Sequence, residues 1–242
     1  MQLFQDRVAV ITGAGSGVGR AIALTLANLG ASVYLVGRRQ PALDEVAREV
    51  HGSGGHAACI VADLSDVAAI QQLASRVEIE AGQVDLLIHC AGVIAVGEVR
   101  SAAIDDLDLQ YQTNVRAPYF LTQALLPMLI RQHGQIVFVN SSAGLSARAG
   151  LGQYAATKHA LKAIADTVRC EVNEHGVRVL SVFLGRTATP MQRRVHELEG
   201  QPYHPGNLIQ PEDVAATVGH VLSLPSTVEI TDISLRPMKK PS

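Results

Sequence analysis

Short β-branched, apolar runs alternate with longer helical stretches along almost the whole chain, and this alternation constrains the fold more than any other feature. Strands are predicted at VAVIT (8–12), SVYLV (32–36), HAACIVA (56–62), DLLIHC (85–90), QIVFVN (135–140), VRVLSVF (177–183) and 228–235. Helices are predicted at 18–29, 41–51 and 66–81, near 103–109, at 112–132, near 152–175 and at 211–223, with an irregular stretch running from the sixth strand to about 210. The strands are apolar on both faces, as in a parallel sheet covered by helices on each side. Strand–helix alternation then implies right-handed βαβ units in a doubly wound parallel β-sheet, the α/β architecture of the Rossmann fold. No repeat and no Pro/Gly-rich linker divides the 242 residues, so a single domain over 1–242 is expected, with a loop-rich segment at about 186–210 covering the substrate. Ligands of such sheets bind beyond the carboxyl ends of the strands. The residues just after each strand are therefore the ones to read for chemistry.

The first of these turns reads TGAGSGVGRAI, residues 12–22. A strict GxGxxG fails because Val18 stands at the third glycine position; the match is TGxxxGxG, carried by Thr12, Gly13, Gly17 and Gly19. Glycines permit a tight turn and a close backbone approach, and the helix that follows offers unpaired N–H groups to a pyrophosphate. Thr12, Gly13, Gly15, Ser16, Gly17, Val18 and Gly19 are thus expected at a dinucleotide. In such folds an acidic residue usually ends the second strand and takes the ribose 2′-hydroxyl. Here Gly37 holds that position, followed by Arg38 and Arg39. No carboxylate repels a 2′-phosphate, and a guanidinium can clasp one. NADP(H) is therefore expected in preference to NAD(H), with Arg38 the first choice and Arg39 the second; NAD(H) stays open, since Ser16 adds no basic charge to the glycine turn.

Asp63-Leu64 follows the third strand, where the carboxylate can take an adenine amino group or cap the next helix. Cys90, Ala91 and Gly92 follow the fourth, small enough for a ribose to lie along the backbone. The fifth strand ends at Asn140-Ser141-Ser142, and QYAATKHAL (153–161) puts Tyr154 and Lys158 on one face of the next helix. A phenol has a free pKa of about 10. A lysine cation and an oxidised nicotinamide beside it both favour the phenolate, moving Tyr154 toward acid–base use. Ser141 is placed to hydrogen-bond a substrate oxygen, with Ser142 the neighbouring alternative. Asn114 can hold a water beside Lys158, or simply start a helix.

Other classes fit less well. With Lys+Arg 20, Asp+Glu 22 and a net charge of −2, nothing favours nucleic acid or an anionic membrane. Three widely spaced cysteines, Cys59, Cys90 and Cys170, form no CxxC, and no HExxH or similar pairing marks a metal site. The opening MQLFQDRVAV carries no signal-peptide pattern and no long apolar run suggests a membrane span, so a soluble cytoplasmic protein is expected. A hydrolase would need GxSxG, and the turn at Ser142 lacks its first glycine.

TGAGSGVG, Asp63-Leu64, Ala91-Gly92, Asn114, Ser141 and YAATK, in that order over about residues 5–236, together resemble the single-domain branch of the short-chain dehydrogenase/reductase (SDR) family. The resemblance implies an oxidoreductase that moves a hydride between NADP(H) and a carbonyl or secondary alcohol, with Asn114, Ser141, Tyr154 and Lys158 as catalytic tetrad. It also implies that Lys158 binds the nicotinamide ribose. A homodimer or homotetramer is implied through the helices at 112–132 and 152–175, which are apolar on more than one side. Three departures stand out. His89-Cys90 replaces the usual Asn-Asn before Ala-Gly. Leu184-Gly185 replaces Pro-Gly, leaving Thr187 or Thr189 to reach the carboxamide. EITDISLRPM replaces an Asp-Gly-Gly ending, as in a branch of NADP-dependent reductases of hydroxy acids and carbonyls. Two rivals share the fold: a dinucleotide sensor without catalysis, and an epimerase or dehydratase with the same residues. The substrate pocket is expected from Val93–Val96, Leu145–Leu151 and 186–208, with apolar walls and with His196, Tyr203 and His204 facing mostly solvent.

Overall fold

The computed structural model describes residues 3–239, so the ends of the expected 1–242 unit lie outside the described residues. Seven parallel strands form one sheet: β1 (Val8–Thr12), β2 (Ser32–Gly37), β3 (Ala57–Val61), β4 (Leu86–His89), β5 (Gln135–Ser141), β6 (Arg178–Leu184) and β7 (Asp232–Leu235), in the order β3-β2-β1-β4-β5-β6-β7. The alternation of side chains explains why the runs are apolar throughout. Ala9 and Ile11 of β1, Val33 and Leu35 of β2, and Val137 and Val139 of β5 enter one core. Their neighbours Val8, Val10, Tyr34, Val36, Ile136 and Phe138 enter the other. Helices α1 (Gly17–Asn28), α2 (Gln40–Gly52) and α8 (Pro211–Leu222) close the first core through residues such as Leu26, Leu43 and Val218. Helices α3 (Val67–Ala81), α5 (Ala117–Arg131) and α6 (Gly152–Val172) close the second through Leu73, Leu125 and Leu161. This is the doubly wound, Rossmann-like arrangement predicted from the strand composition.

Three elements differ from the sequence reading. The short helix α4 (Ile104–Tyr111) does not end before α5; a π-helical turn, Gln112–Arg116, joins them without leaving the right-handed region. Pro118 explains part of this. It has no N–H, so the carbonyl of Asn114, four residues earlier, loses the donor an α-helix would give it. The supposedly irregular stretch after β6 contains a helix, α7 (Pro190–Leu198). Its start is capped by the Thr189 hydroxyl, which accepts from Gln192 N at 3.1 Å, with Pro190 in the first turn. The last strand is shorter than expected because its neighbour's edge is used otherwise: the Glu229 side chain, not a strand, takes the Val179 N–H at 2.8 Å.

Candidate active site

The strand order reverses at β1, which pairs with β2 on one side and β4 on the other. A cavity of about 630 Å3 opens there, beyond the carboxyl ends of the strands. All residues expected at the cofactor line it except Thr12 and Asn114. Both exceptions are buried and fully engaged. Thr12 Oγ1 accepts from Cys90 N and Ala91 N at 3.0 and 3.1 Å and donates to Ile88 O at 3.3 Å, tying β1 to the turn after β4. That turn must come close. Gly13 has φ +69°, and a Cβ there would lie 2.9 Å from Ala91 N, so only glycine lets the two turns meet.

Asn114 is not at a helix start, where sequence reasoning had the option of placing it. It sits in the π turn, 1% exposed. Its Oδ1 accepts from Val93 N at 2.8 Å, and its Nδ2 donates to Val93 O at 2.9 Å and to Thr157 Oγ1 at 3.1 Å. The side chain therefore braces the Val93 loop against α6, with both amide hydrogens engaged.

Ser141, Tyr154 and Lys158 do converge on one wall. Ser141 ends β5, and its Oγ accepts from Ala143 N at 3.1 Å. Tyr154 and Lys158 lie one turn apart on α6, with the ammonium 5.8 Å from the ring centroid and 3.2 Å from Val139 O. Burial pushes the Tyr154 phenol up to about 12, opposed only by the Ser141 hydroxyl bonded to it. Lys158 exerts no lowering on the phenol in the chain alone, and burial sets the direction. The same burial brings Lys158 down to about 8, with Cys90 acting weakly the other way.

Asn140 was missed by sequence reasoning. Its Oδ1 accepts from Ser141 N at 2.7 Å and its Nδ2 donates to Lys158 O at 3.1 Å, locking the end of β5 to α6. The His89-Cys90 departure is neutral chemistry. Burial holds His89 at about 3 while it stacks on Phe138 and bonds Thr122 Oγ1 at 2.8 Å, and it pushes the Cys90 thiol up to about 12.

At the nucleotide end, Arg38 and Arg39 are exposed on the cavity wall, and neither makes an ion pair with a described residue. Asp63 Oδ1 is already engaged by Ser65 N and Oγ at 2.9 and 2.8 Å; these bonds, then Arg38, hold its pKa low. Helix α3 is capped instead by Asp66, which accepts from Ala68 N. Thr187 donates to Gly185 O at 3.1 Å, and Thr189 caps α7; both face the cavity.

The substrate side is less apolar than expected. Val93, Ile94, Leu151 and Val195 line it, but so do Arg148, Arg186, Gln192 and Glu199. His196 does not face solvent. It is 5% exposed, with Nδ1 2.8 Å from Gln192 O, Nε2 3.2 Å from Arg186 Nη1, and its ring edge-on to Tyr203. Among the described residues no cluster of metal-ligating side chains occurs, and no helix is long and apolar enough to cross a membrane.

Known proteins resemble this chain along nearly its whole length. The family model for short chain dehydrogenase matches residues 7–200. An uncharacterised short-chain type dehydrogenase/reductase of Sinorhizobium fredii is 34% identical over 235 residues, 95% of this chain and 91% of that protein. The sepiapterin reductase of Chlorobaculum tepidum is 32% identical over 238 residues, 95% and 96% of the two chains. The crystal structure of a metagenomic short-chain oxidoreductase in complex with NADP superimposes with a TM-score of 0.86 at 31% identity, covering 98% of this chain and 100% of that one. The chain therefore belongs to the short-chain dehydrogenase family of oxidoreductases.

Proposed function

We propose that the chain is an NADP(H)-dependent oxidoreductase that interconverts a carbonyl compound and its secondary alcohol, with Tyr154 as general acid–base. The observation that carries this reading is the convergence of Ser141, Tyr154 and Lys158 in the cavity that also holds the glycine turn and Arg38-Arg39. The cavity fits a dinucleotide. The glycine turn brings bare backbone to its lining, and Arg38 and Arg39, which make no ion pair with a described residue, line the same cavity and would take a 2′-phosphate. Arg38, Arg39, the Asp63 loop and Lys158 would hold it, and when bound it supplies or accepts the hydride.

The residues of the chain do the rest. Ser141 donates a hydrogen bond to the carbonyl oxygen and fixes its orientation. Tyr154, protonated at neutral pH like any phenol and more firmly so because burial raises its pKa to about 12, gives its proton to that oxygen as the carbon is reduced. Lys158, still charged at pH 7 with a pKa of about 8, stabilises the phenolate that remains. Asn114 braces the Val93 loop and, through Thr157, the segment that carries Tyr154. We extend the reading to a single cytoplasmic domain that forms a homodimer or homotetramer; Tyr111 and Tyr119, each 53% exposed along α4 and α5, support a partner surface there.

The test is NADPH and NADH consumption across ketones, aldehydes, sugars and keto acids, paired with Tyr154→Phe. Turnover is expected with NADPH in the wild type and none in the variant, which still binds NADPH. Binding without turnover of any substrate would instead mark a sensor.

A further inference from the structure

The cavity is far more cationic than the chain that forms it. Its lining carries Arg38, Arg39, Arg148, Lys158 and Arg186 against two carboxylates, Asp63 and Glu199, in a protein of net charge −2. A cleft lined by one sign of charge concentrates ligands of the other. The dinucleotide reading uses Arg38, Arg39 and Lys158, which leaves the substrate side to be balanced. Arg186, just after β6, is matched there: its Nη2 donates to both oxygens of Glu199, at 3.1 and 2.8 Å. Arg148 has no such match and makes no ion pair with a described residue.

The loop that carries Arg148 is nonetheless fixed. Its carbonyl accepts from Leu151 N at 3.2 Å, and Gly150, at φ +77°, accepts from Gly97 N at 2.9 Å. The turn leads directly into the first turn of α6, where Tyr154 stands. Arg148 is exposed and at the same time lines the cavity that holds the reacting groups. Leu151, Ile94 and Val195, which line the same cavity, bring no competing anion. A planar guanidinium with free donors recognises two oxygens of one anionic group.

We propose that Arg148 is a specificity-determining residue and takes an anionic oxygen group, carboxylate or phosphate, on the carbonyl substrate. This rests on the reductase reading and names its substrate class. Glu199 does not cancel the charge, because Arg186 already occupies it.

The experiment compares matched pairs with NADPH: 4-oxopentanoate against its methyl ester for the carboxylate, and dihydroxyacetone phosphate against dihydroxyacetone for the phosphate. In at least one pair the charged member should have the higher kcat/KM by about tenfold or more. Arg148→Ala should cut the charged member about tenfold more than the neutral one, through KM, and Arg148→Lys should restore part of the difference. The pair that responds identifies the anion. Neutral members equal to or better than charged ones in both pairs, or equal losses on both members in Arg148→Ala, would overturn the proposal. If no compound is reduced, the reductase reading fails on its own terms. Saturable quenching of bound NADPH fluorescence by 4-oxopentanoate or the phosphate, abolished in Arg148→Ala, then still supports the anion site, and quenching unchanged by the substitution, or no quenching, rejects it.

Discussion

Asn114→Ala separates a structural brace from a chemical group. The side chain makes three hydrogen bonds, two to Val93 and one to Thr157, at a position 1% exposed. A buried hydrogen bond contributes about 1 kcal/mol net, so their loss costs about 3 kcal/mol. For a chain of this size, that corresponds to a fall in Tm of about 6–12 °C. Thr157 Oγ1 also donates to Tyr154 O at 2.8 Å, so the damage reaches the segment that carries the phenol. Thermal melts at fixed protein concentration, with Thr157→Val and the double variant, should give a coupling energy of about 0.5 kcal/mol or more between the two residues. Steady-state kinetics on the same samples should show a reduced kcat alongside the lower Tm. A variant that melts within about 2 °C of wild type yet loses all turnover would refute the brace and return Asn114 to the proton chemistry.

Lys158→Met should stabilise the fold while destroying activity. The ammonium is buried without a carboxylate, and its pKa falls from 10.5 to about 8. A shift of that size corresponds to at most about 3 kcal/mol of destabilisation. Below pH 8 both folded and unfolded chains hold the proton and the full cost is present. Between about 8 and 10.5 the unfolded chain binds more protons, so wild-type stability rises with pH and the gap to the variant closes. Chemical denaturation at pH 7 and pH 10 measures this, and a gap that widens with pH contradicts the burial argument. Arg38→Ala should raise the Kd for NADPH by about tenfold more than that for NADH, as expected for loss of a charge-assisted bond to phosphate. Equal losses would remove the argument for 2′-phosphate recognition.

What the sequence made legible was local. The two-sided strands, the glycine turn and the Tyr154–Lys158 spacing each follow from a period or a short motif, and each lies where the sequence placed it. The missing parts depend on distant partners. Thr12 looks like part of the glycine motif, but its hydroxyl is consumed by Cys90 and Ala91, 78 and 79 residues away. Asn140 is read as a strand end, and only the packing of α6 against Gly144 reveals it as the clamp on Lys158. The helix α7 did leave a signal, Thr189-Pro190 followed by Met191, Val195 and Leu198 at helical spacing, but Gly200, Pro202, Pro205 and Gly206 just beyond it made the whole stretch read as a loop. Pro118 likewise lies four residues after Asn114, yet a proline near a helix start does not by itself announce a π turn. Arg148 and Arg186 were hidden for another reason: whether an arginine is neutralised depends on which carboxylate folds onto it.

The electrostatics of the wall explain why His89-Cys90 is a tolerable departure. Burial alone would make Lys158 a costly cation and Tyr154 a poor acid. A carboxylate at position 90 would relieve the lysine, but it would bind the ammonium in a fixed pair and screen it from the phenol. Cys90 does neither, because its thiol, pushed up to about 12, stays neutral across the working range, and His89 at about 3 is neutral there as well. In the proposed reaction, the negative charge that Lys158 would meet is the one that develops on Tyr154 as it gives up its proton. An interaction made only at that moment accelerates the step without tightening the ground state. The same logic forbids an acid in place of Cys90: Cys90→Asp should pair with Lys158, raise its pKa and lower kcat, whereas Cys90→Ser should leave the Lys158 titration near its present position. A Cys90→Asp enzyme with undiminished kcat would show that the phenolate does not depend on an unpaired lysine.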